Sequence, residues 1–499
     1  MKKFYCLFIF IILFSRISSI AAQPVIRWAA DAEGNAPYIF LDPQNLEKAI
    51  GFEVDFAELL AKQMGRKPVF FQNQWDGLIP GLERNDYDIA VNGLEITPEH
   101  QEGVAFSVPY YATYEQLIIR GDNYDYLKLE DLKGKSIGVL KGALAEKILR
   151  EKSDYVVKSY ESEVLALEDL KNNRITGVLV DAPIALYYAS WNKDYKLIGD
   201  PIGEVYYGIA CKQSDTLLAA EVNHAVKVLI SNGKLRKLYE RWNLWNPLVA
   251  KTFGDFSVSK TDPSRYKYWV KTQLDERSIW TKLGGYVKVL PMFAKAALVT
   301  LGLAIVSMLL AVLLALPVVL GRVYGNPLIS RLAMLYIEII RGTPLLVQLL
   351  IIFYALPMIG IKLSPFLAAV IGLGMNYSAY EAENYRSGIK SVPKGQMEAA
   401  LVLGMSRLQA IKHIIIPQAF RIVIPPLTND FIALLKDSSL VSVITMVELT
   451  KVYNQTAQAN YDFFGMGIIC AIFYLLLGLP FIKLSKKAEK KLEREKIKI

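Results

Sequence analysis

Cysteine, histidine and the signatures of nucleotide or metal chemistry are scarce in this chain. Its 499 residues hold three cysteines and three histidines. Cys6 lies in the leading segment and Cys470 in an apolar run, which leaves Cys211 alone in the polar N-terminal half, so no disulfide framework exists there. There is no CxxC or HExxH pattern, and a metal centre or other cofactor is not expected. The GxxxxGK[ST] loop is missing as well, so the chain does not itself cradle ATP phosphates in the usual way. No nucleophile–base pair emerges either; Asp31 and Glu33 read as loop carboxylates. An enzyme is not expected.

What is abundant is apolar. Hydrophobic residues make up 53% of the chain and its mean hydropathy is +0.26, above the ~45–50% apolar usage of soluble domains. Part of the chain belongs in lipid. The net charge of +9 is not spread over a nucleic-acid-binding face: much of it lies in a tail after Lys483, with Lys486, Lys487, Lys490, Lys491, Arg494, Lys496 and Lys498. Such a tail after an apolar run reads as a cytoplasmic anchor beside anionic lipid.

In chain order, Lys2 and Lys3 precede an apolar run from Phe4 to Phe14 and then small residues to Ala22, the order of a signal peptide over 1–22. Cleavage near Ala21 or Ala22 and retention as an anchor both remain open. Residues 25–245 alternate short apolar runs (VIRWAAD, PVFFQN, YDIAVNG, KSIGVL, GVLVD, YYGIACK) with helical patterns, which predicts an α/β domain with largely parallel sheets. The restart at Leu129 divides it into two lobes, joined by crossing segments near Tyr114 and Gly203, and a hinged cleft closes around a small solute. Residues 246–289 form a linker whose Tyr266, Tyr268, Trp269 and Trp280 fit a membrane interface or a structural role equally well.

An all-α membrane domain is expected over 290–485, with spans at 296–320, 332–361, 363–380, 422–435 and 463–482 and the basic tail at 486–499. Five crossings put Arg322, the basic loop around 384–420 and the lysine tail inside, and leave the connections near Lys362 and Lys451 outside with the two-lobed domain. Glu338, Arg341, Glu383, Arg386, Asp430 and Lys436 should face partners or water or lie at the inner interface, while Asn376, Thr428 and Asn429 are weaker candidates for lining the path.

Within the loop, Glu398, Ala399, Ala400, Leu401, Leu403 and Leu408 have the spacing of a short amphipathic helix, Gly404 offers a turn, and Pro417 is expected to stop the helix that follows. The pattern suits docking into a partner's groove and a connector on the bilayer equally.

The residues EAALVLGMSRLQAIKHIIIPQAF (398–420), with RGTPLLVQLLIIFYALP before them and PPLTNDFIALLKDSSLVSVI after, resemble the EAA loop and flanks of the polar amino acid permeases of bacterial ABC importers. The N-terminal region resembles the periplasmic amino acid-binding proteins. The resemblance implies a receptor fused to a permease in the bacterial inner membrane, with its cleft outside. It implies a separate ATPase, in two copies, contacting Glu398, Ala399, Ala400, Gly404 and Pro417, a permease homodimer, and an amino acid as solute. Asp181 would hold the ammonium, with Asp31 and Trp75 facing the ligand and the segment of Gly93, Glu95 and His100 binding its backbone. Glu95 and His100 stand where the family usually has threonine and arginine, and Ala143 where it has threonine. Histidine lacks the planar fork that grips a carboxylate. The helix N-terminus at Gly142-Ala143-Leu144, beside Lys141, remains as an alternative carboxylate site. A ligand-gated channel or a membrane sensor with the same cleft domain is the competing reading.

Overall fold

The alternation of apolar runs builds two sheets. The first, in the order β4 (Lys67–Gln72), β1 (Val25–Ala30), β5 (Ile89–Ala90), β12 (Ala210–Lys212), β6 (Val104–Phe106), has β1 parallel to β4 and β5, while β12 runs antiparallel to β5 and β6. The second, in the order β11 (Tyr195–Tyr207), β7 (Tyr111–Arg120), β10 (Gly177–Asp181), β8 (Ser136–Leu140), β9 (Val156–Tyr160), is parallel along β10–β8–β9 and antiparallel along β11–β7–β10. The sheets are therefore mixed rather than largely parallel, because the strands that carry the chain between lobes must run against their neighbours. This computed structural model describes residues 23–32, 36–42, 45–258, 261–274, 279–460 and 462–496. The leading segment, Glu33 and the end of the tail lie outside them.

A hairpin of β2 (Phe40–Asp42) and β3 (Asn45–Ile50) leads into the helix Phe52–Gln63. Gly51 makes that entry possible: its φ is +151°, and a Cβ there would lie 1.9 Å from the Tyr38 carbonyl oxygen. The helix buries Phe52, Phe56 and Leu60 against Tyr110, Tyr111 and Tyr239, one aromatic core of the domain.

The segment expected as a linker is partly core. Its helix Ser264–Leu274 inserts Trp269, 3% exposed, edge-on to Phe40 with centroids 5.0 Å apart, and the indole N–H donates to the Tyr187 carbonyl at 2.7 Å. Tyr268 donates to Asp42 at 2.8 Å and Tyr266 packs on Tyr187. These three aromatics face protein rather than a membrane interface; aromatic area of this size is worth more against a packed surface than half-solvated.

The rest is helical. Helix Ile279–Tyr324 is followed by Pro327–Gly342, Pro365–Ser391, Lys394–Val402, Arg407–Ala410, Ile416–Asp437, Leu449–Asn460 and Phe463–Lys496. Among the described residues, two helices are long and apolar enough to cross a membrane, 283–324 and 463–487, and a third crossing is obtained if Pro327–Gly342 and Leu345–Ile359, bent by 101°, count as one. The bend falls at Thr343-Pro344, where the proline disfavours helical backbone in the residue before it. Several charged and polar side chains of the helical domain find protein partners. Arg322 and Arg386 both donate to Glu383, Asn384 donates to Asp430 at 2.8 Å, Asn376 donates to Gln348 at 3.1 Å, and the Arg341 guanidinium sits 5.1 Å from the Tyr380 ring centre. Asn429 accepts from Ser485, and Thr428 only closes on its own helix.

Pro417 does not end a helix. The chain winds on from Arg407 through a wider turn at Ile411–Ile415 into Ile416–Asp437, with Pro417 in the first turn of that helix. A proline lacks the N–H of a regular helix, and the wider turn before it absorbs the missing bond.

Candidate solute cleft and elbow

The two lobes touch across their cleft. Tyr38 of the first lobe donates to Asp181 of the second at 3.1 Å, the Ala36 amide donates to the Tyr188 hydroxyl at 3.0 Å, and Lys147 pairs with Glu99. The Leu144 amide, at the start of the helix Leu144–Lys152, donates to Glu95 Oε1 at 2.9 Å. A cavity of about 290 Å3 opens beside these contacts. Asp31, Trp75, Tyr160 and Ser162 line it from the lobes, and Asn454 and Gln458 line it from the helix Leu449–Asn460, so the cleft faces the helical domain directly. Two further contacts join the domains: Arg84 stacks on Phe353, 4.6 Å from the ring centre, and Lys362 donates to the Glu83 carbonyl at 3.4 Å.

Each sequence-expected residue has a definite place. Asp181 precedes the helix Ala182–Tyr188 but makes no side-chain cap to it, and Oδ1 has no hydrogen-bond partner. The capping role open to an aspartate at this position is not taken up. Asp31 accepts from the Trp75 amide at 3.1 Å and from Gln72 at 2.9 Å, which fixes the loop carrying Trp75, while the Trp75 indole donates to the Asn92 carbonyl. The Gly93 amide, at φ +59°, is consumed by Glu53 Oε1 at 2.7 Å. His100 bonds through Nδ1 to the Glu95 carbonyl at 2.9 Å and meets Trp75 edge-on. The helix N-terminus offered as a carboxylate site is filled by the protein itself: Glu95 takes the Leu144 amide and Glu146 takes the Gly142 amide at 2.7 Å. Lys141 beside it pairs with Glu161 at 3.1 Å.

Sequence reading missed Glu115, Glu163, Tyr38 and Tyr207. Glu115 sits directly opposite Asp181 in the β7–β10 register, an unfavourable pair of like charges on one face. Its signal was a carboxylate inside the otherwise apolar run YATYEQLIIR. Tyr207 bonds Tyr38 at 3.0 Å, and Glu95 bridges to it across the lobe junction.

Burial dominates the electrostatics. It raises the carboxyl groups of Glu53 to about 7 and of Glu95 and Glu163 to about 8, and it holds Asp181 and Glu115 above the carboxylate range, Asp181's charge pushing Glu115 further. The folded protein therefore binds protons on these groups that the unfolded chain, with Glu near ~4.3, has released. Folded values lie above unfolded ones, so stability falls as pH rises from the unfolded value towards about 8 and is level beyond it. Thermal melting of the whole chain, followed by tryptophan fluorescence without added solute, should show a midpoint that drops between about pH 5 and about pH 8.5, with a shallower drop in Glu95→Gln. A midpoint that rises over that range would contradict the burial of these acids.

At the basic loop the chain forms an elbow. Helix Lys394–Val402 ends with the Gly404 amide bonded to the Leu401 carbonyl (3.0 Å) and the Met405 amide to the Ala400 carbonyl (3.1 Å), a paired closure with Gly404 at φ +84°. Ser406 then caps the next turn in a reciprocal pair with Gln409. Ala400 is buried, whereas Glu398 and Ala399 are exposed, and Val402, Leu403 and Leu408 are 87%, 82% and 76% exposed. An apolar edge of this kind on a rigid turn has the form of a docking surface.

Residues 26–244 match the family of bacterial extracellular solute-binding proteins, family 3, and residues 307–494 match the binding-protein-dependent transport system inner membrane component. The chain is 33% identical over 223 residues to the glutamine transport system permease protein of Escherichia coli (strain K12), covering 44% of this chain and 99% of that protein. It is 38% identical over 205 residues to the L-cystine transport system permease protein of Bacillus subtilis (strain 168), covering 41% and 88%. Among solved structures, an ancestral arginine-binding protein bound to glutamine is 30% identical and covers 45% of this chain and 99% of its own, with a TM-score of 0.42. With a cleft domain that opens onto a helical domain bearing the elbow, and with both halves matched, the chain belongs to the membrane-embedded amino acid ABC importers, as a substrate-binding domain and a permease in one polypeptide.

Proposed function

We propose that this chain receives its solute outside the cell membrane, in the cleft formed by residues 25–245, and passes it through a pathway built by two copies of the permease domain, residues 290–485, each seated on an ATPase subunit at the elbow. Asp181 anchors an ammonium group of the solute, with Trp75 and Tyr38 as its apolar and aromatic walls. Glu398, Ala399, Ala400 and Gly404 carry the coupling to ATP hydrolysis, and Pro417 starts the helix that transmits it. The basic tail rests on anionic lipid at the inner face.

One observation carries this reading: the cleft's cavity is completed by Asn454 and Gln458 of the helical domain, so a released solute meets the permease without crossing bulk water. The strands of both lobes are finished by β12, well before the first long apolar helix, and nothing favours a gated channel. The test is sidedness. In intact cells, cysteine introduced at Leu217, 84% exposed on the binding domain, should react with a membrane-impermeant maleimide, whereas cysteine at Leu408 on the elbow should react only after lysis. Equal reactivity from the same side would end the proposal.

A further inference from the structure

A free amino acid presents two charges, and a dry cleft must answer both. An ammonium needs acceptors and a carboxylate needs donors. The supply of each can be counted in this cleft.

The donors at and around the helix N-terminus are spent. Of the backbone amides that border the cleft, Leu144 is taken by Glu95, Gly142 by Glu146 and Gly93 by Glu53. Of the side-chain cations, Lys141 is paired with Glu161 and Lys147 with Glu99. Glu95 matters most, because its Oε1 sits where a bound carboxylate would sit, on the N-terminal amide of the helix Leu144–Lys152. The protein has supplied its own carboxyl group to that position.

The acceptors are in surplus. Glu95 Oε2, Glu115 Oε2, Glu163 Oε2 and Asp181 Oδ1 are buried and have no hydrogen-bond partner, and among the described residues no ion pair joins any of these four side chains to Lys, Arg or His. Their residues Glu95, Glu115 and Glu163 are 4%, 1% and 6% exposed. A separate element points the same way: Gln458, 7% exposed, lines the cavity from the permease side with its carbonyl Oε1 unpartnered. Beyond these acceptors, the same region leaves the Thr113 hydroxyl, which can act in either sense. Tyr38 and Tyr207 flank Asp181, Tyr38 donating to it and bonding Tyr207 through their hydroxyls. Buried acceptors without donors are costly to leave empty, and an ammonium with three donors or a guanidinium with five satisfies several at once.

We propose that the solute is an organic cation held through ammonium or guanidinium groups, and that an α-carboxylate, where the solute has one, contributes nothing to its recognition because Glu95 already occupies the donor that would hold it. This deepens the importer reading and rests on it. It places the specificity of the cleft in Glu95, Glu115, Glu163 and Asp181 together, rather than in Asp181 alone.

Matched pairs that differ only in the carboxylate test it. With the whole chain in lipid nanodiscs, calorimetry is run with lysine against cadaverine, arginine against agmatine, and glutamine as an amino acid with an uncharged side chain. At least one pair should bind about tenfold or more tighter than glutamine, and within that pair removal of the carboxylate should leave affinity unchanged or tighter. A weaker carboxylate-free partner, or glutamine binding as tightly as the cations, overturns the inference and leaves the importer reading standing. No binding by these compounds or by any of the other amino acids overturns both. Glu95→Thr frees the Leu144 amide, so in that variant the amino acid of the pair should overtake its carboxylate-free partner by about tenfold. An unchanged ratio would again count against Glu95 as the group that fills the carboxylate position, and the pairs measured on the unaltered chain decide the matter whether or not the variant folds.

Discussion

Gly404→Val should abolish most solute-stimulated ATP hydrolysis, a loss of about tenfold or more, while Gly404→Asn should retain it to within about twofold. The reasoning is conformational. Gly404 holds φ +84°, and a Cβ at that position would meet no atom within 4 Å. Space is therefore not the obstacle. A β-branched residue in left-handed backbone is strained by ~1–2 kcal/mol, whereas asparagine visits that region readily. The valine variant relieves its strain by opening the closure at Leu401 and Ala400, and this turns the exposed Val402 and Leu403 away from Leu408 on the far side of the elbow. Because Val392, Ile415 and Ala419 stay packed at the base of the loop, the membrane helices should keep their fold. The measurement is ATP hydrolysis by the reconstituted importer with and without solute, alongside co-purification of the ATPase. Full stimulation in Gly404→Val would show that the elbow's shape is irrelevant to coupling.

The framework was legible because it is written in short-range pattern. The strand runs, the helix in GFEVDFAELLAKQMG and the division at Leu129 follow from apolar periodicity and turn residues, and these outweigh tertiary context in an α/β domain. The elbow was legible for the same reason, since its closing bonds lie within a few residues of Gly404. What escaped was set by register and by distance in the chain. Glu115 faces Asp181 only because β7 and β10 align that way, and no window around either residue reveals it. Glu95 reaches the Leu144 amide, 49 residues on, only when the lobes meet. Trp269 fitted a membrane interface and a structural role equally until Phe40 and Tyr187 were placed around it. Pro417 was read as a stop, but its effect depends on the wider turn before it, which leaves no mark in composition. The departures at Glu95 and His100 were visible as departures; that Glu95 takes the Leu144 amide became visible only with its partner.

Asp181→Asn should weaken solute binding by about 100-fold or more and at the same time stabilise the empty protein. Both effects come from one oxygen. Asp181 Oδ2 accepts from Tyr38, while Oδ1 is buried without a partner opposite Glu115. In the empty cleft this carboxylate is a liability: burial raises it, and its charge raises Glu115 and Glu95 in turn. An amide of the same shape keeps the Tyr38 bond, removes the repulsion, and should lift the melting midpoint by a few degrees. With an ammonium bound the balance reverses. Removing one partner of a buried charge pair costs ~3–5 kcal/mol, and each 1.4 kcal/mol is tenfold in affinity, so two decades is the lower end of the loss. A residue that merely capped the helix Ala182–Tyr188 would behave otherwise, because asparagine caps about as well as aspartate and neither affinity nor stability would move. Titration calorimetry and thermal melting on the same preparation separate the two roles: opposite shifts in affinity and stability mark a solute anchor, and no shift in either would return Asp181 to the scaffold.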